Sequence, residues 1–458
     1  MMNERNDNWT DVHAALLKDF IAFLNQAQIR FFILRNYEEL PEANPSKDVD
    51  IIIEPGCFPS ASKLLQALYL KYGFGDLMLL EFEKVHCVYG ANTVDRLSIH
   101  IDLIEGYRHK GFEIFPFDEF YAHTHEFRNF RVLDEDYDTV VMLYYKLFAA
   151  KKLIPRYRER VAAGFANCPE KIGAIIRRTS GEKMGDRIVE LLEKQDYDTL
   201  GKMSAAISKA TKWRVFGRCP FRTLWRIGYF CMQKIHTIVI CPQDKRKFIS
   251  VLGPDGVGKS TFIDLLEKKI NFYYVADGDK CEIIHHRPGK LPNLGALGEK
   301  AKVMKEDTDF TNPHRSKPAN MSSSFLRMTY YWLDYRLFVP LMVRRNAKWD
   351  FVTVFDRYIY DFLVDPRRSR INLPYWIRKC FAATVPQPRL VFILHTDADT
   401  IYARKPELER DEIARQLGEY RRLAGSSPRF VLLDASQTPE QLTDQAVKCI
   451  LRRFSTGL

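Results

Sequence analysis

The run Gly253-Pro-Asp-Gly-Val-Gly-Lys-Ser-Thr261 fits the pattern G-x-x-x-x-G-K-[ST]. These residue types at this spacing suit the holding of phosphate groups. Glycines let successive backbone N–H groups close around an anion. Lys259 supplies a cation for a transferred phosphoryl group, and the Ser260 hydroxyl is a hard oxygen ligand for Mg²⁺. Asp356 is the second candidate. It ends the apolar run Phe351-Val-Thr-Val-Phe355 and is followed by Arg357 and Tyr358. A carboxylate at a strand end beside such a loop holds Mg²⁺ or its waters; as an ordinary strand-end residue it caps the next helix. The third group is Asp48 and Asp50, at i and i+2, with Asp102 later in the chain. Residues two apart on a strand share a face. Three converging carboxylates could clamp two Mg²⁺ ions for attack on a nucleoside triphosphate. The plainer alternative is a solvated polar face used for recognition alone.

The elements that must position these groups follow from periodicity. Phe248–Leu252 reads as a strand that enters the glycine-rich run, and Ser260–Ile270 as the helix that leaves it. Beyond them Cys281–His285, Phe325–Val343, Phe351–Phe355, Leu390–Leu394, Asp411–Leu423, Phe430–Leu433 and Thr438–Leu451 alternate strand and helix. That order predicts a parallel sheet covered by helices. The polar stretch Gly289–Ser324 reads as a loop. Toward the N-terminus, Val12–Asn25 and Leu64–Tyr72 read as helices, and Phe31–Leu34 and Asp48–Glu54 as strands. Arg96–Leu103 alternates strictly, with Leu97, Ile99, Ile101 and Leu103 on one face and Ser98, His100 and Asp102 on the other. The pattern is helical from Asp138 to about Leu200 and turns basic beyond it. The expected domains are 1–135, a helical and basic connector at 136–247, and 248–458.

Composition bounds the function classes. A chain of 458 residues with 46% hydrophobic and 28% charged residues is long enough for two or three folded domains. Its net charge of +11 favours anionic partners. Lys209 to Lys247 holds ten Lys or Arg against one acid, Asp244, so most of the excess is local. Nine cysteines without a C-x-x-C pair exclude a zinc knuckle or a disulfide framework. The polar N-terminus reads as no signal peptide, and the apolar runs near Ile235–Cys241 and Leu337–Val343 are too short to span a bilayer. The expectation is a cytoplasmic protein with reduced thiols. Arg214, Arg218, Arg222 and Arg226 are interleaved with Trp213, Phe216, Phe221 and Trp225. One reading is peripheral contact of residues 212–234 with an anionic membrane. The favoured one is a connector whose aromatics pack and whose arginines reach solvent. No nucleic-acid-binding module accompanies the charge.

In order along the chain, Asp255 at the third loop position, Arg287-Pro288-Gly289, Asp356-Arg357-Tyr358 and Leu433-Asp434-Ala435-Ser436 resemble thymidylate kinase over residues 248–458. The resemblance implies a doubly wound P-loop (Walker A) kinase domain and phosphoryl transfer from ATP, with Mg²⁺, to an acceptor monophosphate. It implies that Gly253, Pro254, Asp255, Gly256, Val257, Gly258, Lys259, Ser260 and Thr261 form the phosphate loop. Asp255 would touch acceptor hydroxyls, and Arg287 and Tyr358 would belong to the acceptor site. Arg357 would sit by the exchanged phosphates, and Arg404 with Lys405 would supply lid cations. The family continues after Tyr358 with Ser and a Tyr-Gln pair; here the chain runs Ile359-Tyr-Asp-Phe-Leu-Val-Asp-Pro-Arg-Arg-Ser-Arg370. The acceptor therefore stays open between a nucleoside monophosphate and a sugar or glycan phosphate.

Asp48-x-Asp50 with Asp102 resembles the nucleotidyltransferase fold over about the first 130 residues, without that family's Gly-Ser turn; Arg35-Asn-Tyr-Glu-Glu-Leu-Pro41 stands there instead. The implied fold class is α/β: a nucleotidyltransferase-like mixed sheet, a helical connector and a P-loop parallel-sheet domain. The leading expectation is a kinase. The alternatives are a bifunctional kinase–nucleotidyltransferase activating a sugar for surface polysaccharide, and a nucleotide-dependent scaffold at a membrane.

Overall fold

Strict alternation in Leu97–Ile104 gives strand β5, and the β-branched run of Asp48–Ile53 gives β2 beside it. The computed structural model describes residues 9–44, 46–82, 85–241, 246–274, 280–291, 320–347 and 351–454. The chain divides into two compact units, 1–235 and 236–456.

In the first unit the remaining strands are β1 (Phe31–Ile33), β3 (Asp76–Phe82), β4 (Val85–Asn92), β6 (Tyr107–His109), β7 (Phe112–Phe115), β8 (Thr124–Phe127) and β9 (Phe130–Leu133). Seven of the nine strands form a mixed sheet in the order β3-β4-β5-β2-β1-β9-β8; β6 and β7 pair separately. β2 and β5 run parallel, with Asp48 opposite His100 and Asp50 opposite Asp102. Alternation sorts the side chains into two cores. Phe31, Ile33, Val49, Ile51 and Ile53 meet Leu16, Leu17 and Phe20 of helix Asp11–Gln26 on one face. Phe32 and Ile52 meet Val140, Leu143 and Tyr144 of helix Glu135–Ala149 on the other. Asp48 and Asp50 share the parity of Ile52, so they face the helical layer and not open solvent.

The segment 136–247, expected as a connector, is largely helical, in helices that include Pro155–Asn167, Pro169–Ser180, Glu182–Glu193, Ser204–Arg218 and Pro220–Lys234, the last continued by a π-helical turn over Ile235–Ile240. Residues as far as Ile207 share a core with Phe32 and Ile52 of the sheet.

In the second unit β10 (Phe248–Leu252), β11 (Cys281–His285), β12 (Val352–Asp356), β13 (Leu390–His395) and β14 (Phe430–Asp434) form a sheet in the order β11-β12-β10-β13-β14. Each pairing is parallel. Phe248, Phe355, Val391 and Ile393 pack against helix Met321–Ala347. On the opposite face Phe392 meets Phe262 of helix Lys259–Tyr273 with ring centroids 6.2 Å apart. Helices thus cover both faces, which a parallel sheet needs. The loop expected at 289–324 lies mostly outside the described residues, as do residues 1–8; helix 321–347 begins four residues before the expected start at Phe325. Among the described residues no helix is long and apolar enough to cross a membrane.

Candidate functional sites

β10 ends at Leu252 and the chain turns sharply at Gly253, whose φ is 148°. A Cβ there would lie 2.9 Å from the Leu394 carbonyl oxygen. At Gly256, φ 83°, a Cβ would lie 2.9 Å from the Lys405 Cβ. Both positions need glycine for backbone geometry and for space. The end of helix Ala398–Arg404 therefore sits against the loop, which brings Arg404 and Lys405 to its side. Arg404 is exposed. Lys259 is buried and its Nζ donates to the carbonyl oxygens of Gly253, at 2.9 Å, and Pro254, at 2.7 Å. Burial and the nearby Arg357 guanidinium push the Lys259 ammonium down to about 7. Ser260 and Thr261 lie exposed in the first helical turn.

Asp356 closes β12 opposite Val251 of β10. Its Oδ1 is buried with no hydrogen-bond partner among the described residues, while Oδ2 lies 3.2 Å from His285 Nδ1. An unsatisfied buried carboxylate oxygen beside the loop fits a Mg²⁺ ion or its water.

Asp255 and Arg357 meet in a network that the local sequence does not display. Arg357, at φ 70°, forms ion pairs with Asp255 and with Asp361. Arg368 pairs with the second Asp255 oxygen. Tyr420 donates to Asp361 Oδ1 at 3.0 Å. Burial opposes the Asp255 charge, but Arg357, Lys259 and Arg368 outweigh it and hold the carboxyl well below the usual range. Burial likewise opposes the Arg357 charge, and Asp361 and Asp255 keep it protonated. Both Asp255 oxygens are thus engaged by arginines, whereas the resemblance to thymidylate kinase implies contact with acceptor hydroxyls. Asp361 lies four residues after Arg357, a helical spacing that could have revealed it. Arg368 lies in the segment that departs from the thymidylate kinase pattern.

Two expected acceptor residues fall differently. Arg287 follows β11, with Nη1 3.5 Å from Asp334 Oδ2 and its guanidinium 5.1 Å from the Tyr331 ring centroid. Asp334 also accepts from the N–H groups of Gly289, Lys290 and Leu291. Tyr358 is a correction: it is 1% exposed, packs on Tyr335 and Phe355, and donates to the Pro386 carbonyl at 2.6 Å. It is a core residue with its hydroxyl satisfied, so it cannot reach a substrate.

In the first unit Asp48, Asp50 and Asp102 each offer an oxygen within 4.8 Å of the others. His100, stacked on Tyr89, stands between two of them: Nδ1 is 3.2 Å from Asp48 Oδ1 and Nε2 2.7 Å from Asp102 Oδ1. Burial opposes its charge, yet Asp102 and Asp48 raise it to about 9. Burial raises Asp48 to about 7. Asp102 is held below its usual range because His100 outweighs the effect of burial. Arg35 pairs with Asp50 and lies over the Tyr145 ring at 5.2 Å. Neither Asp48 Oδ1 nor Asp102 Oδ1 has an aligned hydrogen bond among the described residues. This oxygen-rich set fits a divalent cation. Asp50 and Asp102 open onto a cavity of about 240 Å³ whose walls also carry Arg35, Arg108, Lys146 and Arg160. The sequence does not mark His100 or Arg35 as site residues, although it places His100 on the polar face of its strand.

The sequence matches no family model and no curated protein. Among solved structures the chain is similar to thymidylate kinase from Ehrlichia chaffeensis, with 14% identity, 44% of this chain and 97% of that chain covered, and a TM-score of 0.30.

Proposed function

We propose that the second unit is an ATP-dependent P-loop kinase that transfers a phosphoryl group to a small phosphorylated acceptor. The observation that carries this reading is the placement of Lys259 and Asp356 at the carboxyl ends of the adjacent parallel strands β10 and β12. Parallel sheets bind ligands outside that edge. The backbone amides of residues 255–261, at the start of helix 259–273, cradle the phosphates. Lys259 leaves its two carbonyl partners and charges fully as the anion arrives. Ser260 and Asp356 would hold Mg²⁺, which when bound neutralises charge on the phosphate oxygens. Arg357, and Arg404 from the adjoining helix, stabilise charge on the moving phosphoryl group. Asp255 serves to fix Arg357 and Arg368 in place. The acceptor class, a nucleoside monophosphate or a sugar phosphate, is met by cations of the 357–370 segment and by Arg287.

The test is ADP formation with thymidylate, other nucleoside monophosphates and sugar phosphates in turn. We expect one acceptor class to accelerate turnover and Lys259→Ala to abolish it. Turnover that no acceptor accelerates, or that survives in Lys259→Ala, overturns the reading.

A second reading rests on a separate observation. Asp48, Asp50 and Asp102 cluster, and the last two open onto a cavity lined by cations, an arrangement suited to a metal-bound nucleoside triphosphate. On this reading the first unit transfers a nucleotidyl group and the chain is bifunctional.

A further inference from the structure

Helix Pro220–Lys234 is held to its unit by one face. Thr223 and Phe230 are buried, Arg226 Nη1 lies 2.6 Å from Glu113 Oε2, and Ile227 abuts Gly111 so closely that a Cβ on that glycine would lie 2.8 Å from the Ile227 Cα. The other face carries Phe221, Leu224, Trp225, Gly228 and Met232, the i, i+3, i+4, i+7 and i+11 positions of one stripe. It is bare: Phe221 is 87% and Trp225 72% exposed. Trp213, Phe221 and Trp225 are thus exposed where the sequence had them packing, while Arg214, Arg218 and Arg222 reach solvent as expected and Arg226 is held by Glu113.

The β6–β7 hairpin whose Gly111 meets this helix also forms one wall of a second cavity, of about 580 Å³. Phe112, Phe148 and Trp213 give it apolar walls, and Lys110, Lys151, Lys209 and Lys212 line it as well. Among the described residues that line it there is no carboxylate. Trp213 is itself 65% exposed. The surroundings are strongly cationic: burial, then Lys212, Lys110 and Lys234, push His109 down to about 4.

We propose that helix 220–234 and the lysine-lined cavity together form a docking surface for an anionic phospholipid bilayer. Phenylalanine, leucine and methionine enter the acyl boundary, tryptophan sits at headgroup depth, and lysines and arginines meet lipid phosphates. Nucleic acid matches the charge but offers nothing to the apolar stripe. An acidic protein surface leaves an apolar cavity ringed with lysine unfilled. A charged headgroup joined to an aliphatic chain satisfies both halves. This surface is independent of the kinase reading.

The experiment is flotation of the full chain with vesicles of phosphatidylcholine alone and of phosphatidylcholine with phosphatidylglycerol. We expect binding to the anionic vesicles only, weakening as salt is raised. Phe221→Ser with Trp225→Ser should reduce binding at least about tenfold. Lys209→Ala with Lys212→Ala should remove the preference for anionic lipid. Thermal unfolding like that of the wild type checks the fold of each variant. Quenching of wild-type tryptophan fluorescence by brominated lipid tests insertion without any variant. The proposal fails if anionic vesicles do not float the protein at low salt, or if the Phe221/Trp225 variant floats unchanged. It also fails if brominated lipid quenches nothing, or if the stripe instead mediates a dimer in sedimentation velocity and no flotation occurs.

Discussion

Arg357 and Asp255 form an ion pair that ties the end of β12 to the third position of the glycine-rich loop. The same guanidinium reaches Asp361, so one buried cation serves two carboxylates. Arg357→Ala strands Asp361 with only Tyr420 as its partner among these groups. We expect a loss of about 3–5 kcal/mol, the cost of a broken buried ion pair, in urea unfolding of the second unit. Arg357→Lys keeps the charge but not the two-pronged reach, and should recover less than half of it. A loss under about 1 kcal/mol for Arg357→Ala would show that the network does not hold the loop.

Lys259→Met separates chemistry from stability. The ammonium is buried and bonded to two carbonyl groups of its own loop. Its loss should lower kcat by about 10²-fold or more. Because a buried charge is removed, the melting temperature should hold or rise. A variant that unfolds would mean that the lysine is needed to shape the loop itself.

Tyr358→Phe removes a hydroxyl satisfied by the Pro386 carbonyl deep in the second unit. We expect about 1 kcal/mol of destabilisation with KM for the acceptor unchanged. A raised KM at constant stability would return this residue to the substrate site.

His13 sets an acid limit on the first unit. Its ring is fully buried, Nδ1 accepts from the Thr10 N–H, and Nε2 lies 3.2 Å from the Ser98 carbonyl oxygen. Protonation would put a second N–H against the Thr10 donor. Burial above all, with Lys47 adding to it, lowers His13 from its ordinary 6.5 to about 4. Between those values the unfolded chain binds the extra proton and the folded chain does not, so stability rises with pH across this window. The contribution is full above 6.5 and is lost as pH falls toward 4, by up to about 3 kcal/mol. Replacing the ring by an amide, His13→Gln, should flatten this part of the stability–pH curve. An unchanged slope would assign the acid sensitivity to other groups.

Asp50→Ala tests whether the first unit has chemistry of its own. It should abolish any nucleotide transfer to a sugar phosphate and leave acceptor-stimulated ADP formation within about twofold, because the two sites belong to separate compact units and share no residue. If wild-type protein transfers no nucleotide to any sugar phosphate tested, the bifunctional reading falls.

The part of the fold legible in the sequence is the local part. Phe248–Leu252 was marked by its apolar run and β5 by its alternation, and both signals need only adjacent residues. The strands at 76–82 and 85–92 were not marked, since Leu77-Met-Leu-Leu80 shows no alternation and Gly90 interrupts the second run. The ion pairs around Asp255 were out of reach for another reason. Arg368 stands 113 residues from Asp255 along the chain, and only the folded sheet brings them together. The same holds for His13 and Ser98, separated by 85 residues. The stripe of helix 220–234 is a periodic pattern in the sequence, but periodicity does not say which face of a helix is covered.

The alignment of β2 with β5 carries a consequence for how this chain finds its fold. Sliding β5 by two residues would leave Ile99, Ile101 and Leu103 on their oily side, so burial alone scarcely tells the two alignments apart. The polar edge of the same strands does tell them apart. In one slip Asp102 would face Asp48 and His100 would face Ser46 in place of its acid; in the other Asp102 would face Ile52 and Asp48 would lose its imidazole partner. The carboxylates and the imidazole thus act as a key that admits one strand alignment and rejects its neighbours. Changes at these three positions should appear as misaligned strands and poor yield as readily as in lost chemistry.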